Sequence, residues 1–352
     1  AWLRPRWREF LGLTAVALLL PDMADLVAPL WYWQVLTEIT FFGVAVLLTL
    51  LSGTPVVNPE AQIIGTNGFL VAVADSCSGI EGFALISAFL ALYAILFRDT
   101  LRMGRFWLVV WPVSIFLSWL LNVVRITVLI LIGAHFSPEL AVNGFHSFAG
   151  WLFFTALAIG VLITVSKLRW LHKEATPWAV TPLSNDDMAA RILPFVVFML
   201  SGIVVNAFWQ APELGYPLQV LGMAGALWYV RRPLRAYFAR PSWLAVVAGL
   251  AVGGGWVIMA PAPEAPSLAL AALSPLAFVA WAMVRIIGTV ALVPLIEELF
   301  FRGYVQTRID DGTWPRRILA IALSAAAFAL LHGRWIEAGI PGAIFSMLYI
   351  RK

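Results

Sequence analysis

Read from the N-terminus, the chain alternates long apolar runs with short polar breaks. The runs lie near 10–30, 31–52, 80–97, 106–134, 148–166, 192–209, 216–230, 242–260, 276–296, 316–332 and 335–350. A bilayer core about 30 Å thick is crossed by about 20 apolar residues in helical form. In lipid, every backbone N–H and C=O must find a partner inside the protein, which leaves helices as the natural reading of such runs. The pattern therefore predicts an all-α polytopic membrane protein of about nine to eleven helical segments.

Two stretches depart from it. Residues 53–76 are rich in Gly, Pro and Asn. There Ala61–Ile64 and Phe69–Ala74 flank a Gly65-Thr66-Asn67-Gly68 turn, which predicts a small extracytoplasmic hairpin near 55–75. Residues 167–191 form the longest polar stretch, with two prolines and mixed charges. They predict a division into a domain over 1–170, a cytoplasmic linker over 171–191 and a second domain over 192–352.

Composition sharpens the class. Of the 352 residues, 62% are apolar and 12% charged, against about 25% charged in an ordinary soluble domain. Mean hydropathy is +0.90. These values exclude a disordered chain, a fibrous repeat and a soluble enzyme with a normal charged surface. The net charge of +4, from 23 basic and 19 acidic residues, sits in short basic clusters between apolar runs. That is a membrane pattern, not a nucleic-acid one. A single cysteine leaves no internal disulfide. A chain that opens at Ala1 reads as a piece of something longer.

Basic residues mark the cytoplasmic side. Clusters occur at Arg98, Arg102 and Arg105, at Lys167, Arg169 and Lys173, and at Arg231, Arg232, Arg235 and Arg240, whereas the loops 53–76, 136–146 and 261–275 hold no Lys or Arg. The 80–97 helix then runs inward, 106–134 outward and 148–166 inward. For the loop before Cys77 to lie outside, one of the runs 10–30 and 31–52 must lie in the interface or re-enter, and Pro21-Asp22 interrupts the first.

The side assignment gathers one set of polar residues. Cys77 lies in Ser76-Cys77-Ser78-Gly79-Ile80, at the outer mouth of a helix, where the helix dipole favours a thiolate. Arg125 is the one charge between Phe106 and Ile132, about 28 Å along the helix from Phe106. His146 precedes the next inward helix. All three converge at the outer surface. A nucleophile, a proton carrier and a cation for a developing oxyanion suit acyl transfer. Each also has an ordinary account: a packed cysteine, an arginine reaching lipid headgroups, a loop histidine.

The blocks Cys77-Ser78-Gly79-Ile80, Asn122-Val123-Val124-Arg125-Ile126 and Phe145-His146-Ser147 resemble the signature blocks of the exosortase/archaeosortase family. The resemblance covers about residues 10–170. It implies a multi-pass cysteine transpeptidase of the bacterial inner membrane, whose protein substrates carry a C-terminal sorting signal of motif, membrane helix and basic tail. It implies Cys77 as nucleophile, Arg125 as oxyanion or substrate-positioning residue, His146 as proton carrier and Asn122 in support.

A second set lies in Ile296-Glu297-Glu298-Leu299-Phe300-Phe301-Arg302-Gly303, with Phe328 and His332 one helix later. Glu298 and Arg302, four apart, share a helix face and can pair, while Glu297 points about 100° away. The ordinary reading is an interfacial ion-pair cluster. Glu297-Glu298-x-x-x-Arg302 followed by Phe328-x-x-x-His332 resembles the CAAX-protease and bacteriocin-processing family of intramembrane endopeptidases. This implies Glu297 as general base, His332 as its partner, and Glu298 and Arg302 in support. The resemblance covers about 190–350. That family's third block, a later His with an Asn four residues on, has no counterpart before Lys352, so the second half is expected to be C-terminally incomplete. The two together resemble the exosortase E/protease fusion. No cofactor is called for, and the spacing of a His-Glu-x-x-His zinc helix is absent. A transporter or lipid-handling protein, with Arg125 and Glu297 as substrate charges, is the competing class.

Overall fold

A computed structural model describes residues 34–74, 77–173, 182–237, 242–259 and 267–351. The expected run 10–30 lies outside the described residues. Ten principal helices carry the fold. They are α1 (Gln34–Ser52), α2 (Ile80–Phe97), α3 (Met103–His135), α4 (His146–Lys167), α5 (Asp187–Phe208), α6 (Pro212–Tyr229), α7 (Trp243–Ile258), α8 (Pro275–Ile309), α9 (Trp314–His332) and α10 (Trp335–Ile350). Among the described residues, seven helices are long and apolar enough to cross a membrane, and α7 and α10 are shorter apolar helices. The chain is a multi-pass, all-α membrane protein. Its apolar side chains face outward on many helices, with Phe42, Leu50, Leu108 and Leu276 all largely exposed. In water such patches would drive association. In lipid they face a matching solvent.

The expected hairpin is a three-stranded antiparallel sheet, β1 (Val56–Asn58), β2 (Ile63–Thr66) and β3 (Phe69–Ala72) in the order β1-β2-β3. Thr66 pairs with Phe69, so Asn67-Gly68 is a two-residue turn, and both have the positive φ that such a turn requires. Strand β1 was not foreseen. It is three residues long and bounded by Pro55 and Pro59, which suits only an edge strand.

Two more differences have local causes. Helix α8 continues through Pro294 and past the expected 276–296 run to Ile309. A proline inside a helix lacks the N–H donor and presses its ring on the carbonyl four residues back. Here the turn before it, Ile287–Leu292, is widened into a π-helix, which relieves that clash. A second π segment, Glu298–Gln306, follows. The polar stretch after α4 is also not all linker. The Leu171 carbonyl accepts from Arg102 N at 2.8 Å, and Lys173 N donates to the Thr100 carbonyl at 2.9 Å, which ties its start to the α2–α3 connection.

The chain divides into two compact units, residues 1–178 with 206–210, and 179–205 with 211–352. In the first, Val44 and Leu48 of α1, Ile64 of β2, Ile130 of α3, and Phe145 and Ala149 form one buried cluster. Helices α2, α3 and α4 share another around Leu90, Phe106 and Val161. In the second, Tyr216, Met223 and Ile296 pack together, as do Phe301, Phe328 and Ala338.

Candidate functional sites

The sheet of the first unit hands the chain to Cys77. Val73 N donates to the Gln62 carbonyl at 2.9 Å, and Cys77 N to the Ala74 carbonyl at 2.8 Å. Cys77 lies half-buried just before α2, whose N-cap is Gly79 with φ 99°. A side chain at that φ would be strained, so glycine is what lets the chain bend from the cysteine into the helix. Asn122 of α3 donates from Nδ2 to the Cys77 carbonyl at 2.8 Å. Thr40 of α1 donates from Oγ1 to the Ser78 carbonyl at 3.1 Å.

A cavity of about 420 Å³ opens beside this segment, lined among others by Cys77, Glu81, Asn122, Arg125, His146, Gly150 and Trp151. The three residues proposed for catalysis from sequence, which come from three separate elements, thus share one cavity with Asn122. Arg125 is half-buried with its Nε enclosed and unpartnered. A Cβ at Gly150 would stand 3.1 Å from Arg125 Nη1, so the absence of a side chain there makes room for the guanidinium. His146, partly exposed, opens α4 two residues before the apolar span Phe148–Lys167. Burial of its ring, and next the charge of Arg125, hold its pKa below the ordinary histidine value. Its imidazole is therefore neutral at neutral pH and free to accept a proton.

In the second unit, Glu297 is buried within α8, and His332 is the last residue of α9. His332 Nε2 lies 3.7 Å from Glu297 Oε1, and Nδ1 lies 2.8 Å from the Phe328 carbonyl. That carbonyl can only accept, so Nδ1 carries a proton and Nε2 faces the carboxylate. Arg302 is fully buried. Its Nη1 pairs with Glu298 Oε1 at 3.1 Å, and its Nη2 donates to the Gly342 carbonyl of α10 at 3.0 Å. Its guanidinium stands 4.7 Å from the Phe328 ring centroid and 5.6 Å from that of Phe345. Arg302 thereby ties α8 to α10 and braces the turn of α9 that ends in His332.

Several residues of these sites were not foreseen. Thr40 sits in an apolar run, and a threonine there has no distinguishing pattern. Glu81 and Gly150 gain meaning only from the cavity. Gln306 Nε2 donates to the Ser346 carbonyl of α10 at 2.9 Å. Its place four residues after Arg302 was the available signal. Trp256 of α7 meets the His332 ring edge-on at 5.6 Å.

Comparison with known families finds one match in each unit. Residues 1–163 match the family described as transmembrane exosortase. Residues 279–352 match the family described as Type II CAAX prenyl endopeptidase Rce1-like. The two matches agree with a fusion of segments similar to two membrane-peptidase families. No curated protein and no solved structure matches it.

Proposed function

We propose that the first unit is a membrane cysteine peptidase or transpeptidase that cleaves the C-terminal sorting signal of exported proteins. The observation that carries this reading is the single cavity holding Cys77, Arg125 and His146. In the proposed cycle, His146 takes the thiol proton and the Cys77 sulfur attacks the scissile carbonyl carbon. Arg125 faces the resulting oxyanion. As the C–N bond breaks, His146 gives its proton to the leaving amine and a thioester remains. An acceptor nucleophile or water then attacks the thioester and loses its proton to His146; the C–S bond breaks and His146 returns that proton to the Cys77 sulfur. The basic clusters support a chain lying in the bacterial cytoplasmic membrane, with the Cys77 cavity facing outside and Glu297 towards the cytoplasm. The division of labour is a cysteine domain in the first unit and a glutamate-endopeptidase domain in the second.

The test is Cys77→Ala with a co-expressed protein carrying motif, membrane helix and basic tail. Loss of processing is expected. Unchanged processing overturns the cysteine reading. The Glu297–His332 contact supports a second peptidase centre, in which Glu297 draws a proton from water. If Glu297→Gln abolishes cleavage of that substrate and Cys77→Ala does not, the glutamate centre is the principal one.

A further inference from the structure

We propose that Thr40 is a positioning residue for Cys77, acting through a relay from Trp119 to the Ser78 carbonyl. The proposal rests on the cysteine reading above. Trp119 Nε1 donates to Thr40 Oγ1 at 3.0 Å, and Thr40 Oγ1 stands 3.1 Å from the Ser78 carbonyl oxygen. Indole N–H can only donate and a carbonyl can only accept. The direction of both bonds is thereby fixed, and the single hydroxyl proton of Thr40 goes to Ser78.

This is not the usual resting place of a helical threonine. Such hydroxyls turn back to the carbonyl four residues earlier, and Thr49, Thr127 and Thr155 of this chain do so, to Ala45, Val123 and Trp151. Thr40 instead reaches a residue 38 positions away. It is fully buried, so water does not replace the bond when it is lost. Asn122 holds the Cys77 carbonyl and Thr40 the next one. Two consecutive peptide planes are thus fixed from two helices, α3 and α1, and with them the direction in which the cysteine side chain leaves the backbone.

Near-attack geometry is sensitive to shifts of an ångström, so the relay bears on turnover more than on substrate binding. Thr40→Val keeps the shape and removes the hydroxyl. It should lower kcat for sorting-signal cleavage by about 10- to 100-fold, the cost of about 1.4–2.8 kcal/mol in the barrier, with KM changed less than about 3-fold. Thr40→Ser restores the hydroxyl and should stay within about 3-fold of the parent. Trp119→Phe frees the hydroxyl to turn back to its own helix and should give an intermediate loss. Rates are normalised to thiol titrated by a small maleimide, so that poorly folded protein is not counted. If Thr40→Val folds and its kcat is unchanged, or if Thr40→Ser is as impaired as Thr40→Val, the relay has no positioning role. Should Thr40→Val fail to fold, the Ser and Phe variants decide: a Trp119→Phe protein with parental kcat, or a Thr40→Ser protein that is impaired, overturns the proposal. A Cys77→Ala protein that still cleaves overturns the cysteine reading itself, whereas an inactive Cys77→Ala beside a fully active Thr40→Val overturns only the role of Thr40.

Discussion

Gly79→Ala tests whether the bend after Cys77 and the Asn122 bond form one device. Gly79 has φ 99°, and placing a residue with a Cβ in left-handed backbone costs about 1–2 kcal/mol. The new Cβ would also stand 3.1 Å from Asn122 Nδ2, tighter than normal packing. Asn122 would have to move, and its 2.8 Å bond to the Cys77 carbonyl would be weakened or lost. An unsatisfied carbonyl costs about 1–3 kcal/mol, so the sum is about 2–5 kcal/mol. Reversible unfolding of the detergent-solubilised protein in urea would read it as a lower midpoint, and cleavage of a sorting-signal substrate would fall with it. The cycle with Asn122→Ala separates the two parts. With Asn122 already removed, Gly79→Ala should cost only the backbone strain, so the double variant should be less destabilised than the sum by about 1–3 kcal/mol. A single variant with the parental midpoint, or strictly additive effects, would refute the coupling.

Other perturbations follow the same geometry. Gly150→Ala places a methyl 3.1 Å from the mobile end of Arg125; the unfolding midpoint should hold while kcat falls about tenfold, the effect of about 1.4 kcal/mol in transition-state contact. Because burial and the Arg125 charge lower the His146 pKa, the base is neutral through the neutral range, and the acid limb of kcat/KM should fall below the ordinary value of about 6.5. Arg125→Gln removes one of those causes and should move the limb to higher pH; the pH dependence of His146 modification by diethylpyrocarbonate checks this even where activity is low. Arg302→Ala removes the ion pair to Glu298 and the buried bond to the Gly342 carbonyl and should cost about 2–3 kcal/mol in urea unfolding, a discounted value because Glu298 is partly solvated. Arg302→Lys should not restore it, since an ammonium does not reproduce the planar fork that stacks on Phe328.

Much of the fold was legible because lipid demands it. Runs of apolar residues become helices wherever the backbone has no water to pair with, and Asn67-Gly68 gives away the hairpin by its turn chemistry. The Cys77 cavity was legible for a related reason: basic clusters assign sides, and helix length carries Arg125 to the same end as Cys77 and His146. What escaped was set by partners distant in sequence. How far α8 runs beyond the 276–296 run depends on whether the turn before Pro294 can widen, and apolar periodicity is silent on that. The early linker residues bind the α2–α3 connection through main-chain groups, which have no side-chain signature. Thr40 reads like any helical threonine until the Ser78 carbonyl is found beside it.

A common rule connects the polar residues inside these helices. Asn122 and Thr40 donate to the carbonyls of Cys77 and Ser78, Arg302 and Gln306 to those of Gly342 and Ser346, and Ser324 to that of Phe301. In an apolar medium a main-chain carbonyl of a neighbouring helix is the available acceptor, so each such side chain becomes a strut between segments. Arg125 departs from this rule. Among the described residues it makes no hydrogen bond and no ion pair, and its Nε is enclosed. Arg302, by contrast, is held by Glu298 and Gly342 and braces the fold. An arginine without a partner among the described residues, half-buried in one cavity with a cysteine and a histidine, is disposed to meet negative charge that arrives with the substrate or develops during reaction. Under the proposed function, the difference in how the two arginines are satisfied, more than their shared place in apolar helices, is what separates a structural charge from a working one.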